Sequence, residues 1–107
     1  VDGFRIDAVK HIPASFFEDW FNHLRTHFGG EELFGVGEYW SGNLDELNKY
    51  LADTAGVMKL FDVPLHFNLM NASRGGRDYD LSKVFDGTLV RGNPQMAVTY
   101  VDNHDTE

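Results

Sequence analysis

Three short strand-like runs each deliver a carboxylate at their C-terminal end: Arg5-Ile6-Asp7, Val36-Gly37-Glu38-Tyr39, and the run that leads into Asn103-His104-Asp105. Parallel α/β proteins assemble their sites at that edge of the sheet. A chain that places an acid there three times is therefore constrained to that fold class, and its chemistry is expected to be carboxylate chemistry. Val1 is not an initiator Met, the first strand begins at once, and Glu107 falls inside an apparent catalytic loop. The expectation is a piece of a larger enzyme.

The segments between these runs fit the same scheme. In Gly3-Phe4-Arg5-Ile6-Asp7, alternation sends Phe4 and Ile6 to one face and Arg5 and Asp7 to the other. Ser15 with Glu18 reads as a capping box, and Phe16, Phe17, Trp20, Phe21, Leu24 and Phe28 recur at helical spacing until Gly29-Gly30. That aromatic stripe is a core face against a sheet. Leu33 to Glu38 is the second strand, with Phe34, Val36 and Glu38 on one face and the glycines leaving room on the other. Asn43 and Glu46 repeat the box before a helix ending near Asp53, and Val57 to Phe61 is a third strand stopped at Asp62-Val63-Pro64. Further on, the pattern predicts a short helix at about Leu65 to Ala72, a Gly75-Gly76 loop, a helix from Asp80 through Phe85 closed by Gly87, and a last strand over Met96 to Val101. The order βαβαβααβ implies parallel strands with right-handed crossovers. A complete (β/α)8 barrel takes about 250 residues, and the 107 here are under half of that.

Charge excludes more than it identifies. Seventeen acidic residues against nine basic ones give a formal net charge of -8, which argues against nucleic acid and anionic membranes as partners. A neutral substrate such as a carbohydrate needs no positive steering field. Cysteine is absent, so thiolate chemistry is excluded and compartment cannot be read from disulfides. No apolar run approaches a membrane span.

Asp7 alone could be a helix cap, but Arg5 on the same face changes the reading: a guanidinium donating to a carboxylate fixes the rotamer that a nucleophile needs. Glu38 is expected to meet neighbouring acids at the same end of the barrel and to act as a general acid. Trp40 either stacks on a sugar face or plugs the barrel mouth. Asn103-His104-Asp105 suits carbohydrate hydroxyls or a metal, with Asp102 a strand-end hydrogen-bonding group. Lys10 and His11 follow Asp7 closely enough to line the same cleft. His23, His27 and His66 read as helix or loop residues.

DGFRIDAVKH from Asp2 to His11, GEYW from Gly37 to Trp40 and VDNHDT from Val101 to Thr106 resemble three sequence signatures of the alpha-amylase family of glycoside hydrolases, in the same order. FDVPLHFN from Phe61 to Asn68, and the stretch around Phe16 to Leu24, resemble the liquefying bacterial type. The resemblance implies a partial (β/α)8 barrel carrying strands four to seven, with residues 1–107 the central part of a catalytic domain incomplete at both ends. It implies retaining endo-hydrolysis of α-1,4-glucosidic bonds in starch and related glucans. Asp7 then matches the nucleophile, Glu38 the acid/base and Asp105 the third carboxylate. Arg5 matches the residue orienting the nucleophile, His104 a hydroxyl-binding histidine, Lys10 and Trp40 substrate subsites, and the backbone carbonyl of His11 a calcium ligand. The third-strand motif and the eighth strand are missing from the pattern. The complete enzyme is expected to be monomeric and the isolated piece inactive; its compartment, extracellular or cytoplasmic in a bacterium, stays open. The rivals are a glucanotransferase or branching enzyme of the same family, and an amylase-like barrel that only binds; a metal-dependent hydrolase would need a denser His/Asp cluster.

Overall fold

The computed structural model describes residues 2–28 and 33–105. Four parallel strands lie in chain order: β1 (Gly3–Ile6), β2 (Phe34–Gly37), β3 (Lys59–Phe61) and β4 (Ala97–Val98). Their registers pair Arg5 with Val36, Gly37 with Leu60, and Phe61 with Val98. Helices α1 (Ala14–His27), α2 (Leu44–Asp53), α3 (Val63–Gly75) and α4 (Leu89–Gly92) connect them. The fold class is α/β with a parallel sheet, as the sequence predicts.

Pleating decides which side chains go where. Phe4 turns to the helical layer and meets Trp20 of α1 edge-on at 5.1 Å, while Arg5 points to the opposite face, its guanidinium 5.8 Å from the Phe61 ring. On β2 the glycine face receives α1 at close range: a Cβ on Gly35 would stand 2.4 Å from Cζ of Phe21. The core is built on that side, from Val9, Phe17, Phe21, Leu47, Leu51, Met58, Leu60 and Leu89. Arg25 ties the far end of α1 to the sheet by donating to the carbonyls of Leu33 at 3.0 Å and Val57 at 2.7 Å.

Several local expectations change. Ser15 does not cap α1, which begins at Ala14 behind Pro13 with no side-chain cap; fixed proline φ and burial of Phe17 and Phe21 replace the box. The Gly29-Gly30 stop lies outside the described residues. Around α2 the box is relayed: Asn43 Oδ1 accepts from the Asp45 and Glu46 amides, but Glu46 accepts from Ser41 Oγ at 2.6 Å, and that hydroxyl in turn accepts from the Asn43 amide. Helix α3 starts at Val63, earlier than predicted, because Asp62 caps it and Pro64 suits its first turn; it runs on to Gly75 where a loop was expected. The predicted Asp80–Phe85 helix is a 3-10 turn at Leu81–Lys83, since Asp80 Oδ1 takes both the amide and the hydroxyl of Ser82 and closes a local turn instead. The last strand pairs over Ala97 and Val98 only, and the intended extension to Val101 leaves the ladder.

Candidate functional site

At the C-terminal end of β1, Ala8 adopts a left-handed conformation, φ 50°. That turn brings the Val9 amide onto the Glu38 carbonyl at 3.0 Å, while the Glu38 amide donates to the Ile6 carbonyl at 2.8 Å. The ends of β1 and β2 are thus stitched together beyond the ladder. Arg5 uses the stitch: Nη1 donates to Asp7 Oδ1 at 3.3 Å and Nη2 to Glu38 Oε2 at 2.8 Å. One guanidinium bridges the two acids. The Asp7 side chain is 70% exposed and that of Glu38 only 11%, so the two face different surroundings.

Glu38 and Arg5 open onto a cavity of about 140 Å³ lined also by Phe61, Tyr100, Asp102, Asn103 and His104. Phe61 and Tyr100 meet edge-on at 5.6 Å and form its apolar wall. Burial first, then the charges of Glu38 and Asp62, pushes the Tyr100 hydroxyl well above the ordinary tyrosine range. Past Tyr100 the chain folds into tight turns, with the Asn103 amide on Asp102 Oδ1 and the Asp105 amide on Asn103 Oδ1. Asp105 lies 3.5 Å from His104 Nε2. An acid pair beside an apolar wall and a cluster of polar donors and acceptors suits a polyhydroxylated ligand.

Comparison with known proteins agrees with that chemistry. The chain is 50% identical over 107 residues, all of its length, to a glucan 1,4-alpha-maltohexaosidase of Bacillus sp. (strain 707), covering 20% of that protein. Against an alpha-amylase of Geobacillus stearothermophilus it is again 50% identical over 107 residues, 19% of that relative. Identity to a cyclomaltodextrin glucanotransferase of Niallia circulans is 31% over 112 aligned residues, 15% of its length. Over its whole length the chain is similar to members of the alpha-amylase family. It spans about a fifth of the length of the curated relatives it matches. No protein-family model matches it.

Of the residues singled out by the alpha-amylase signatures, Arg5, Glu38 and His104 line the cavity directly. Asp7 is joined to it through Arg5. Lys10 bridges to the Trp40 carbonyl at 3.1 Å, and the Trp40 ring packs edge-on to Phe67 of α3 at 5.6 Å, half-buried. Asp105 is exposed and stands outside the lining. The described charged partner of Glu38 is Arg5, with Asp7 on the same guanidinium and Asp102 in the same cavity lining, and the shorter arm of Arg5 goes to Glu38 rather than Asp7.

Sequence reasoning missed Phe61, Tyr100 and above all Asp62. Asp62 is fully buried, and its carboxylate accepts from the Leu65 and Leu89 amides at 3.1 Å each and from the Val90 amide at 2.8 Å. It caps α3 and α4 together. The signal for the first cap was present in Asp62-Val63-Pro64, an N-cap residue ahead of a first-turn proline; the second cap joins residues 27 apart and leaves no local trace.

Proposed function

We propose that the protein of which this sequence is part is an alpha-amylase that hydrolyses internal α-1,4-glucosidic bonds of starch and related glucans with retention of configuration. The observation that carries this reading is the Arg5 bridge: two carboxylates of unequal burial share one guanidinium beside the cavity. Exposed Asp7 attacks the anomeric carbon while Glu38 protonates the departing glycosidic oxygen; Glu38 then deprotonates the water that releases the glycosyl group from Asp7. Arg5 fixes both rotamers for those steps. Asp105 stabilises the transition state and, with His104, holds substrate hydroxyls, while Lys10 and Trp40 border subsites. Residues 1–107 are then the central part of a (β/α)8 catalytic domain, β1 to β4 being its fourth to seventh strands. In that complete enzyme, taken to be a monomer, α-glucan is the partner.

Calcium belongs to the same proposal. The His11 carbonyl ends the 3-10 turn Val9–His11, where helix-end carbonyls lack intrahelical donors, and a neutral oxygen suits a hard cation. Calcium takes about six to eight oxygens, and among the described residues no group of three or more His, Cys, Asp or Glu could hold a metal. His11 fits as one backbone ligand, and a bound ion would brace the β1 loop behind Asp7.

Proton NMR of the first product released by the intact protein from an α-glucan tests the reading. Initial release of the α-anomer is expected, with Asp7→Asn and Glu38→Gln each lowering kcat by at least about a thousandfold. Initial release of the β-anomer removes Asp7 from the nucleophile role. Predominant transfer to sugar acceptors, in place of hydrolysis, would make the protein a glucanotransferase.

A further inference from the structure

His66 lies on α3, is 2% exposed, and sits in an aromatic cage. Its ring stacks on Tyr100 at 4.9 Å and 11°, with the Trp40 ring 5.9 Å away. Nδ1 faces the Val101 carbonyl at 2.8 Å, whereas Nε2 is buried with no hydrogen-bond partner among the described residues. A carbonyl accepts only, so Nδ1 carries the proton and Nε2 is a bare acceptor. Burying an unmet acceptor is costly, and a phenylalanine would fill the same cage without that cost. Histidine is therefore doing something a plain ring cannot.

What it holds is the base of the 102–105 turns. Pairing in β4 stops at Val98, and Val101 is 70% exposed, so neither the ladder nor burial of Val101 fixes the chain where it enters the cavity. The carbonyl bond to His66 does. From there Asp102, Asn103 and His104 line the cavity, and the stacked Tyr100 passes the ring contact on to Phe61 and so to Arg5.

We propose that His66 is a positioning residue for the cavity: its Nδ1–H holds the Val101 carbonyl, its ring holds Tyr100, and together they set where Asp102, Asn103 and His104 stand against Glu38. The inference rests on the hydrolase reading for its effect on rate, and on geometry alone for the bond itself.

Three variants of the intact protein separate the two contacts. His66→Asn keeps a nitrogen donor at the same number of bonds from Cβ, His66→Phe keeps the ring without the donor, and His66→Leu keeps neither. On soluble starch, His66→Phe is expected to lower kcat about tenfold or more with KM changed less, His66→Asn to recover most of the loss, and His66→Leu to be worst, since misplacement by about 1 Å can cost up to a hundredfold. Wild-type rates in His66→Phe, or equal losses in the Asn and Phe variants, would overturn the proposal. Nitrogen NMR of the His66 ring in the unsubstituted protein provides a reading independent of variant folding: protonated Nδ1 with bare Nε2 is expected, and the opposite tautomer overturns it. Should the intact protein not hydrolyse α-glucans, the function reading fails while the tautomer measurement still decides the bond.

Discussion

Asp62 carries more structure than any other single side chain described. Its two oxygens meet three backbone N–H groups, a charge-assisted arrangement that needs both oxygens to be acceptors. Asp62→Asn would turn an amide NH₂ toward an N–H donor and leave at least one donor unmet. We expect a loss of about 2–3 kcal/mol, read as a lower thermal midpoint of the intact protein, with Asp62→Ala at least as severe. An unchanged midpoint in both variants would mean that the two caps are not coupled through this carboxylate. Tyr50 gives a pH-dependent counterpart. Its hydroxyl donates to the Val9 carbonyl at 3.1 Å, and burial, followed by the influence of Tyr39, pushes its pKa from 10.0 up to about 12. Because the folded value is raised, the contribution is complete below about pH 10 and is lost as pH climbs toward 12. Tyr50→Phe should lower stability at neutral pH by about 1 kcal/mol and flatten that part of the alkaline decline, which melting curves at pH 9 and pH 11 would reveal.

At the scale of elements, legibility followed locality. The first two strand ends could be read because period-two alternation and a terminal carboxylate are contiguous in Gly3 to Asp7 and Leu33 to Glu38, and α2 because Asn43 and its acids are contiguous; Asp105 instead stands well beyond the end of β4. Helix α4 could not: Leu89–Gly92 is a single turn whose N-terminal amides are met by Asp62 from the preceding strand end. The capping box of α1 failed for the opposite reason, since the Ser-x-x-Glu pattern exists but Pro13 occupies the N-cap and places Ser15 inside the first turn. Of the cavity lining, Arg5, Glu38 and His104 could be picked out from local motifs and the wall of Phe61 and Tyr100 could not, because ring contacts between segments distant in sequence depend on register. The relay at α2 provides a test of this local logic. Asn43→Ala should cost about 1 kcal/mol, and Ser41→Ala less than that, because Asn43 keeps its own two amides. Hydrogen exchange confined to the first turn of α2 is expected for both variants; a larger effect from Ser41 would make Ser41, not Asn43, the true cap.

The molecule as a whole is unfinished on one side. Its helical face is packed, but the opposite sheet face presents Arg5, Phe34, Lys59 and Phe61, with Phe34 47% exposed. Phe16, Phe85 and Val101 are also more than half exposed. The radius of gyration is 15.2 Å, with one extent of 52 Å against 25 and 23 Å; a self-contained domain of this size is expected near 13 Å. Among the described residues, four strands in simple order leave β1 and β4 each unpaired on one side, and a barrel abolishes such edges only by closing. An isolated chain of residues 1–107 should therefore associate through those edges and lack a complete cleft, even with Asp7, Glu38 and Asp105 all in place. On soluble starch, under conditions where the intact protein is active, it should show no turnover above background, and light scattering should report species larger than a 12.2 kDa monomer. A monodisperse monomer with turnover comparable to the intact protein would show that the Arg5-bridged acids and the cavity beside them suffice without closure, and would remove the half-barrel reading altogether.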